Sequence, residues 1–160
     1  MGHWEDIGKS DDWLTPSYIF DALGERFDLD VAHPPTRVSH VPCRRAYSEQ
    51  GLSRPWVGFV WMNPPFGGRN AIAPWVEQFM RHGNGIALVP DRTSAPWFQK
   101  WAVGSDLILF VGRKIRFEKP NGDVGKSPSC GTALLARGDR ACWALRRASP
   151  RLGMIVSPSR

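Results

Sequence analysis

Cysteine is scarce in this chain: Cys43, Cys130 and Cys142 are the only three, an odd number at irregular spacing. That excludes a disulfide framework as the basis of the fold. His33, His40 and Cys43 lie close together, but their spacing fits no zinc pattern, and no metal is expected. No apolar run approaches the ~20 residues needed to cross a bilayer. Met1 to Asp12 are polar and hold no apolar h-region, so no secretory signal is expected. Asp6 stands where N-myristoylation requires Ser or Thr. The chain has no internal repeat and no low-complexity segment. Together these absences lead us to expect a cytoplasmic protein with no membrane partner.

Lysine is scarce too. Sixteen of the 21 basic residues are arginine, and the formal net charge is +6. A positive excess favours a polyanionic partner, most commonly nucleic acid. Arginine suits bidentate contacts with phosphate and guanine. With 160 residues, 42% of them hydrophobic, the chain suits one domain around one core. We expect that domain to span residues 1–160, with its core at about 12–147. A polar lead precedes the core, and the tail after Arg146 shows no pattern.

The periodicities predict an alternation of helices and strands. Thr15-Pro16 reads as a helix start, with Thr as N-cap and Pro in the first turn. Ile19, Phe20, Leu23 and Phe27 then share a helical face. Phe27 to Ala32 alternates as a strand. Residues 33–55 are rich in Pro, Arg and Ser and read mostly as loop. Val57 to Met62 reads as a buried strand. Asn70 to His82 reads as a helix with Ile72, Val76, Phe79 and Met80 on one face, stopped at Gly83. Ile86–Val89 and Leu107–Val111 read as strands, and Ala95–Ala102 as a short helix. Ile115–Phe117 and Thr132–Ala136 read as a closing strand pair around an Asn121-Gly122 turn. The expected fold is α/β, a mostly parallel sheet covered on both faces, with an antiparallel edge. In such sheets ligands bind at the carboxyl ends of the strands.

One turn stands out at that rim, Asn63-Pro64-Pro65-Phe66. The prolines fix their own backbone angles and restrict the residue before each. They offer carbonyl acceptors without competing N–H donors. The Asn63 side chain and the Pro64 carbonyl are thus two fixed acceptors, matched to the two protons of an NH₂ group. Phe66 adds a flat face for a flat ring, and Gly67 and Gly68 let the chain approach a ligand.

This turn resembles the [DNS]-P-P-[YFW] motif of S-adenosylmethionine-dependent amino methyltransferases. The wider pattern resembles the phage-type DNA N-6-adenine methyltransferase (Dam-like) family. It comprises Asp12-Trp13-x-Thr15-Pro16, Phe27-Asp28-Leu29-Asp30-Val31-Ala32, Trp61-x-Asn63-Pro64-Pro65-Phe66, Val89-Pro90-x-Arg92-Thr93 with Trp97-Phe98, and Gly112-Arg113-x-Ile115-x-Phe117. These segments run from about residue 12 to 136. The resemblance implies a compact Rossmann-like methyltransferase domain, S-adenosylmethionine as cofactor and double-stranded DNA as partner. It also implies a phage or prophage setting in a bacterial host cell.

By that resemblance Asn63, Pro64, Pro65 and Phe66 hold a flipped adenine, with Phe66 stacking on it. Thr15, Pro16, Asp30 and Ala32 become candidates for cofactor contact, Asp30 as the acid at the end of the first strand. The glycine-rich turn that many methyltransferases carry there is missing, for the chain reads Asp30-Val31-Ala32-His33-Pro34-Pro35. Arg69, Arg92, Arg113, Lys114 and Arg116 are candidates for DNA phosphates, because they fall in loops on or beside the rim. Three alternatives stay open: transfer to another amino or amide nitrogen (protein glutamine, RNA or cytosine N-4), cytosine C-5 chemistry through Pro42-Cys43, and a non-catalytic DNA-binding module.

Overall fold

The computed structural model describes residues 13–35, 38–65, 71–125 and 130–158. Among them the elements run α1 (Ser17–Leu23), β1 (Phe27–Asp30), β2 (Cys43–Ala46), β3 (Val60–Met62), α2 (Ala73–His82), β4 (Gly85–Pro90) and α3 (Pro96–Lys100). A 3₁₀ turn at Ala102–Gly104 precedes β5 (Leu107–Val111), β6 (Thr132–Arg137), α4 (Asp139–Leu152) and β7 (Gly153–Val156). The strands form one sheet in the order β2-β1-β3-β4-β6-β5-β7.

The sheet is mixed rather than mostly parallel. β2, β1, β3 and β4 pair in parallel, whereas β4–β6, β6–β5 and β5–β7 pair antiparallel. The expected closing pair accounts for the difference. Ile115–Phe117 forms no strand with Thr132–Ala136. Instead β6 inserts between β4 and β5, with Ala133, Leu134, Leu135 and Ala136 all fully buried. A run buried on both faces belongs in the middle of a covered sheet, not at its edge. The Asn121-Gly122 turn does form, with Gly122 at φ 89°, but it joins Glu118 to Val124.

Helices cover both faces. On one, α1 and α4 bury Ile19, Phe20, Leu23, Ala144, Leu145 and Ala148 against Phe27, Phe59 and Trp61. The Phe27 and Phe59 rings stack at 5.1 Å, and Phe20 meets Trp61 edge-on at 4.9 Å. On the other, α2 and α3 bury Val76, Phe79, Trp97 and Phe98 against Leu29, Val60, Val89 and Leu135. The tail is therefore not loose, because it completes α4 and adds β7 to the sheet edge.

Several boundaries shift for local reasons. Thr15 is not the helix cap: Pro16 holds that position, with no side-chain capping bond. β3 begins at Val60 because Gly58 sits at φ 71° and breaks the extended run. Asp28 then takes the Phe59 amide at 2.8 Å. β1 stops at Asp30, whose carboxylate turns the chain. β2 was hidden in the segment read as loop: Arg44, Arg45 and Ala46 are exposed, and only pairing with β1 makes the stretch a strand. Helix α2 ends as its glycine dictates, with Gly83 at φ 74° donating to the Phe79 carbonyl.

Candidate active site

Strand direction assembles one rim. β1, β3 and β4 are parallel, and two antiparallel steps through β6 bring β5 back to the same direction. The carboxyl ends of all four therefore meet at one end of the sheet. After β1 the chain pairs β2 on one side, then crosses back to lay β3 on the other. A reversal of this kind marks the crevice at the carboxyl ends of the two strands, here β1 and β3, where open α/β sheets bind ligands.

Asp30 and Asn63 stand at its two lips. Asp30 lies beside Trp61 in register, two residues before Asn63. Its side chain is 2% exposed. Oδ1 accepts the Ala32 amide at 3.1 Å, and Oδ2 lies 3.2 Å from His33 Nδ1. The carboxylate thereby shapes a turn that has no glycine. Ala32 takes part through its backbone, and His33 is tied further by its amide to the Tyr47 carbonyl at 2.9 Å.

Across the crevice, Pro64 is buried and Pro65 exposed. Asn63 Nδ2 donates to Thr15 Oγ1 at 3.0 Å. Thr15 is 5% exposed and is held from the N-terminal side by a two-way backbone pairing of Leu14 with Glu118, at 2.7 and 2.9 Å. Pro16, also buried, leads from Thr15 into α1. The segment after β5 is thus clasped to the segment that braces Asn63. His40 adds to the clasp, its Nε2 lying 3.0 Å from Glu118. His33 and His40 consequently serve different carboxylates on different segments.

Four of the basic candidates follow strands whose carboxyl ends form this rim. Arg92 follows β4, and Arg113, Lys114 and Arg116 follow β5, all exposed. Arg92 and Lys114 both act on the Cys130 thiol, lowering its pKa against the larger upward push of burial and that of Asp91. The loops after β4 and β5 are therefore neighbours. Phe66 and Arg69 lie outside the described residues.

Cys43 does not suit nucleophilic attack. Burial first, and then the Asp30 carboxylate, push its pKa up. A reactive cysteine needs the opposite shift. Among the described residues, three buried side-chain atoms have no hydrogen-bond partner: Thr132 Oγ1, Trp13 Nε1 and Arg137 Nε. Thr132 sits opposite Pro90 at the carboxyl end of β4. Nothing in the sequence marked it, since it reads as one more residue of a β-rich run. The buried Asp30 carboxylate at the crevice fits a polar ligand carrying cationic and hydroxyl groups, as S-adenosylmethionine does.

Residues 6–137 match the family model described as DNA N-6-adenine-methyltransferase (Dam). The chain belongs to the Dam family. The matched stretch contains both lips of the crevice, Thr15 and the loops after β4 and β5, and stops at the last residue of β6. Helix α4 and β7, which complete one face and one edge of this Dam-family chain, lie beyond it. No curated protein matches the chain. Among solved structures, protein LPL1258 from Legionella pneumophila str. Philadelphia 1 aligns at 11% identity with a TM-score of 0.39. The alignment covers 87% of this chain and 65% of that one, a likeness too slight to carry an argument.

Proposed function

We propose that the protein transfers a methyl group from S-adenosylmethionine to the N-6 amino group of adenine in double-stranded DNA. The observation that carries this reading is the Asn63-Pro64-Pro65 turn at the switch-point crevice of a Dam-family chain, with the Asn63 amide tied at 3.0 Å to Thr15. The reversal of strand order at β1 and β3 supports the Rossmann-like description of the domain. The name of the family supports DNA as substrate and S-adenosylmethionine as cofactor.

When bound, S-adenosylmethionine supplies an electrophilic methyl group on a sulfonium, open to in-line displacement by an amine. The protein's part is placement. Asn63 Oδ1 and the Pro64 carbonyl accept hydrogen bonds from the two N-6 protons, and the nitrogen, once methylated, releases one proton to water as the sulfide leaves. An adenine amine is a poor nucleophile because its lone pair is delocalised into the ring. Two fixed acceptors favour a tetrahedral nitrogen with its lone pair free. Preorganised groups of this kind act by orientation and electrostatics, without a covalent intermediate. The base must leave the duplex to reach them, and Phe66 is assigned the stacking face. Asp30 and the turn it closes through Ala32 form the cofactor side of the crevice. Arg69, Arg92, Arg113, Lys114 and Arg116 are assigned to DNA phosphates. A phage or prophage gene acting in a bacterial cytoplasm fits this activity.

The test is transfer from labelled S-adenosylmethionine to duplex DNA, with the modified base identified by mass spectrometry. Wild type should make N-6-methyladenine. Asn63→Ala should lose about 10²-fold or more in rate, the usual scale for removing a preorganised polar group. Label in a polypeptide, in RNA or on cytosine N-4 would instead make this a methyltransferase of another nitrogen. Absence of any cofactor binding would leave a DNA-binding module.

A further inference from the structure

The Asn63 amide poses a problem of choice that the turn alone does not solve. Its oxygen and its NH₂ are nearly the same shape, and a half-turn of the last side-chain torsion exchanges them. Only the oxygen can accept a proton from a substrate amine. The wrong orientation would present two donors to two donors. The prolines fix the backbone, but they do not touch this torsion.

Thr15 does. Its Oγ1 lies 3.0 Å from Asn63 Nδ2, a contact between residues 48 apart in sequence. We propose that Thr15 is a positioning residue: its hydroxyl restrains the Asn63 amide, which turns Nδ2 to Thr15 and leaves Oδ1 for the substrate nitrogen. The inference rests on the methyltransferase reading of the crevice, and it changes the role that sequence resemblance implied for Thr15, from cofactor contact to orientation of the amide.

The bracing is well built for this task. Thr15 is 5% exposed, so its hydroxyl is shielded from competing water. Leu14 is pinned by its pairing with Glu118, and Pro16 fixes the exit into α1. The hydroxyl is thereby anchored from both sides.

The experiment uses the full chain with Thr15→Val, which removes the hydroxyl and keeps the shape, and Thr15→Ser, which keeps the hydroxyl. Melting curves first establish that each variant folds. Single-turnover transfer to duplex DNA and S-adenosylmethionine affinity are then measured for both variants, for Asn63→Ala and for the Thr15→Val/Asn63→Ala pair. Thr15→Val should slow transfer by about 10–10²-fold, as misplacement of a reacting geometry does. Its cofactor affinity should stay within about twofold of wild type, and Thr15→Ser should recover most of the rate. In the Asn63→Ala background the Thr15 change should add nothing, since residues that act as a unit are not additive. A loss that adds in full, or a loss of cofactor affinity at unchanged transfer rate, would overturn the proposal. A readout independent of activity is hydrogen exchange of the Asn63 side-chain NH₂ by NMR. Slow exchange in wild type that speeds up in Thr15→Val is expected. Equal exchange in both would sink the proposal even if the protein methylates nothing, and an inactive wild type with the expected exchange would sink only the methyltransferase reading.

Discussion

At the scale of single residues, the side chains did more than one reading of the sequence assigned them. Asp30 was legible as the acid that ends the first strand. Its work on the turn was not, because a carboxylate that accepts from the amide two residues on leaves no trace in periodicity. Asp30 replaces with a side chain what a glycine would do with backbone freedom. Asp30→Ala should therefore act through structure as well as through any ligand. It removes the acceptor of the Ala32 amide, 3.1 Å away in a partly buried site, and strands that donor. An unsatisfied buried group of this kind costs about 1–3 kcal/mol. Chemical denaturation should show that loss with an unchanged m-value. Asp30→Asn keeps an acceptor oxygen and should lose less, while cofactor affinity separates the two roles. The Asn63 turn was the most legible part of the site, since two prolines dictate rigidity in any context. The Thr15 partnership was not, because 48 residues of chain separate the two groups.

At the scale of elements, α1, β1, α2, β4 and β5 form close to where their periodicities put them, whereas β2, α4 and β7 left no readable pattern. α2 and β4 are long or fully buried, and their pattern is their own. β2 has one half-buried residue followed by three exposed ones, so its extended form comes from β1 and cannot be seen locally. α4 was hidden for the reverse reason. Its apolar face is built mostly from alanines, Ala141, Ala144 and Ala148, with Leu145 and Leu152, amid five charged residues from Asp139 to Arg151. Small residues permit close packing on α1 but weaken a hydrophobic stripe as a signal. If the tail were loose, ending the chain at Arg146 would be harmless. The structure predicts otherwise, since that cut removes β7, Leu152 and the last turns of α4. The truncated chain should lose its cooperative melting transition. Leu145→Ala, at a fully buried position, is the milder test. It should destabilise by about 2–5 kcal/mol. In a chain of this length that lowers Tm by about 2–4 °C per kcal/mol.

At the scale of the whole molecule, basic residues stand at both ends of the sheet, so position and not count must decide their roles. The net charge of +6 suggested a polyanion but gave it no address. Direction of the strands supplies one. Arg113 and Arg116 sit past the carboxyl end of β5, on the rim that carries the Asn63 turn. Arg81, at the end of α2, sits beside the turn into the amino end of β4 and is paired with Glu77 at 2.6 Å. If duplex DNA lies across the rim, only the first two should neutralise phosphates. Each phosphate neutralised contributes about −0.9 to the slope of log affinity against log salt on B-DNA. The double change Arg113→Gln, Arg116→Gln should therefore make that slope shallower by about 2. S-adenosylmethionine affinity should not change, because the proposed cofactor side of the crevice is the Asp30 turn after β1. Arg81→Gln should leave the slope where it was. An equal effect from both ends would mean that the charge acts only as a diffuse field, and that the rim is not where the duplex binds. A slope that responds only to the rim would tie the DNA to the same end of the sheet as the Asn63 turn, close enough for one flipped base to reach it.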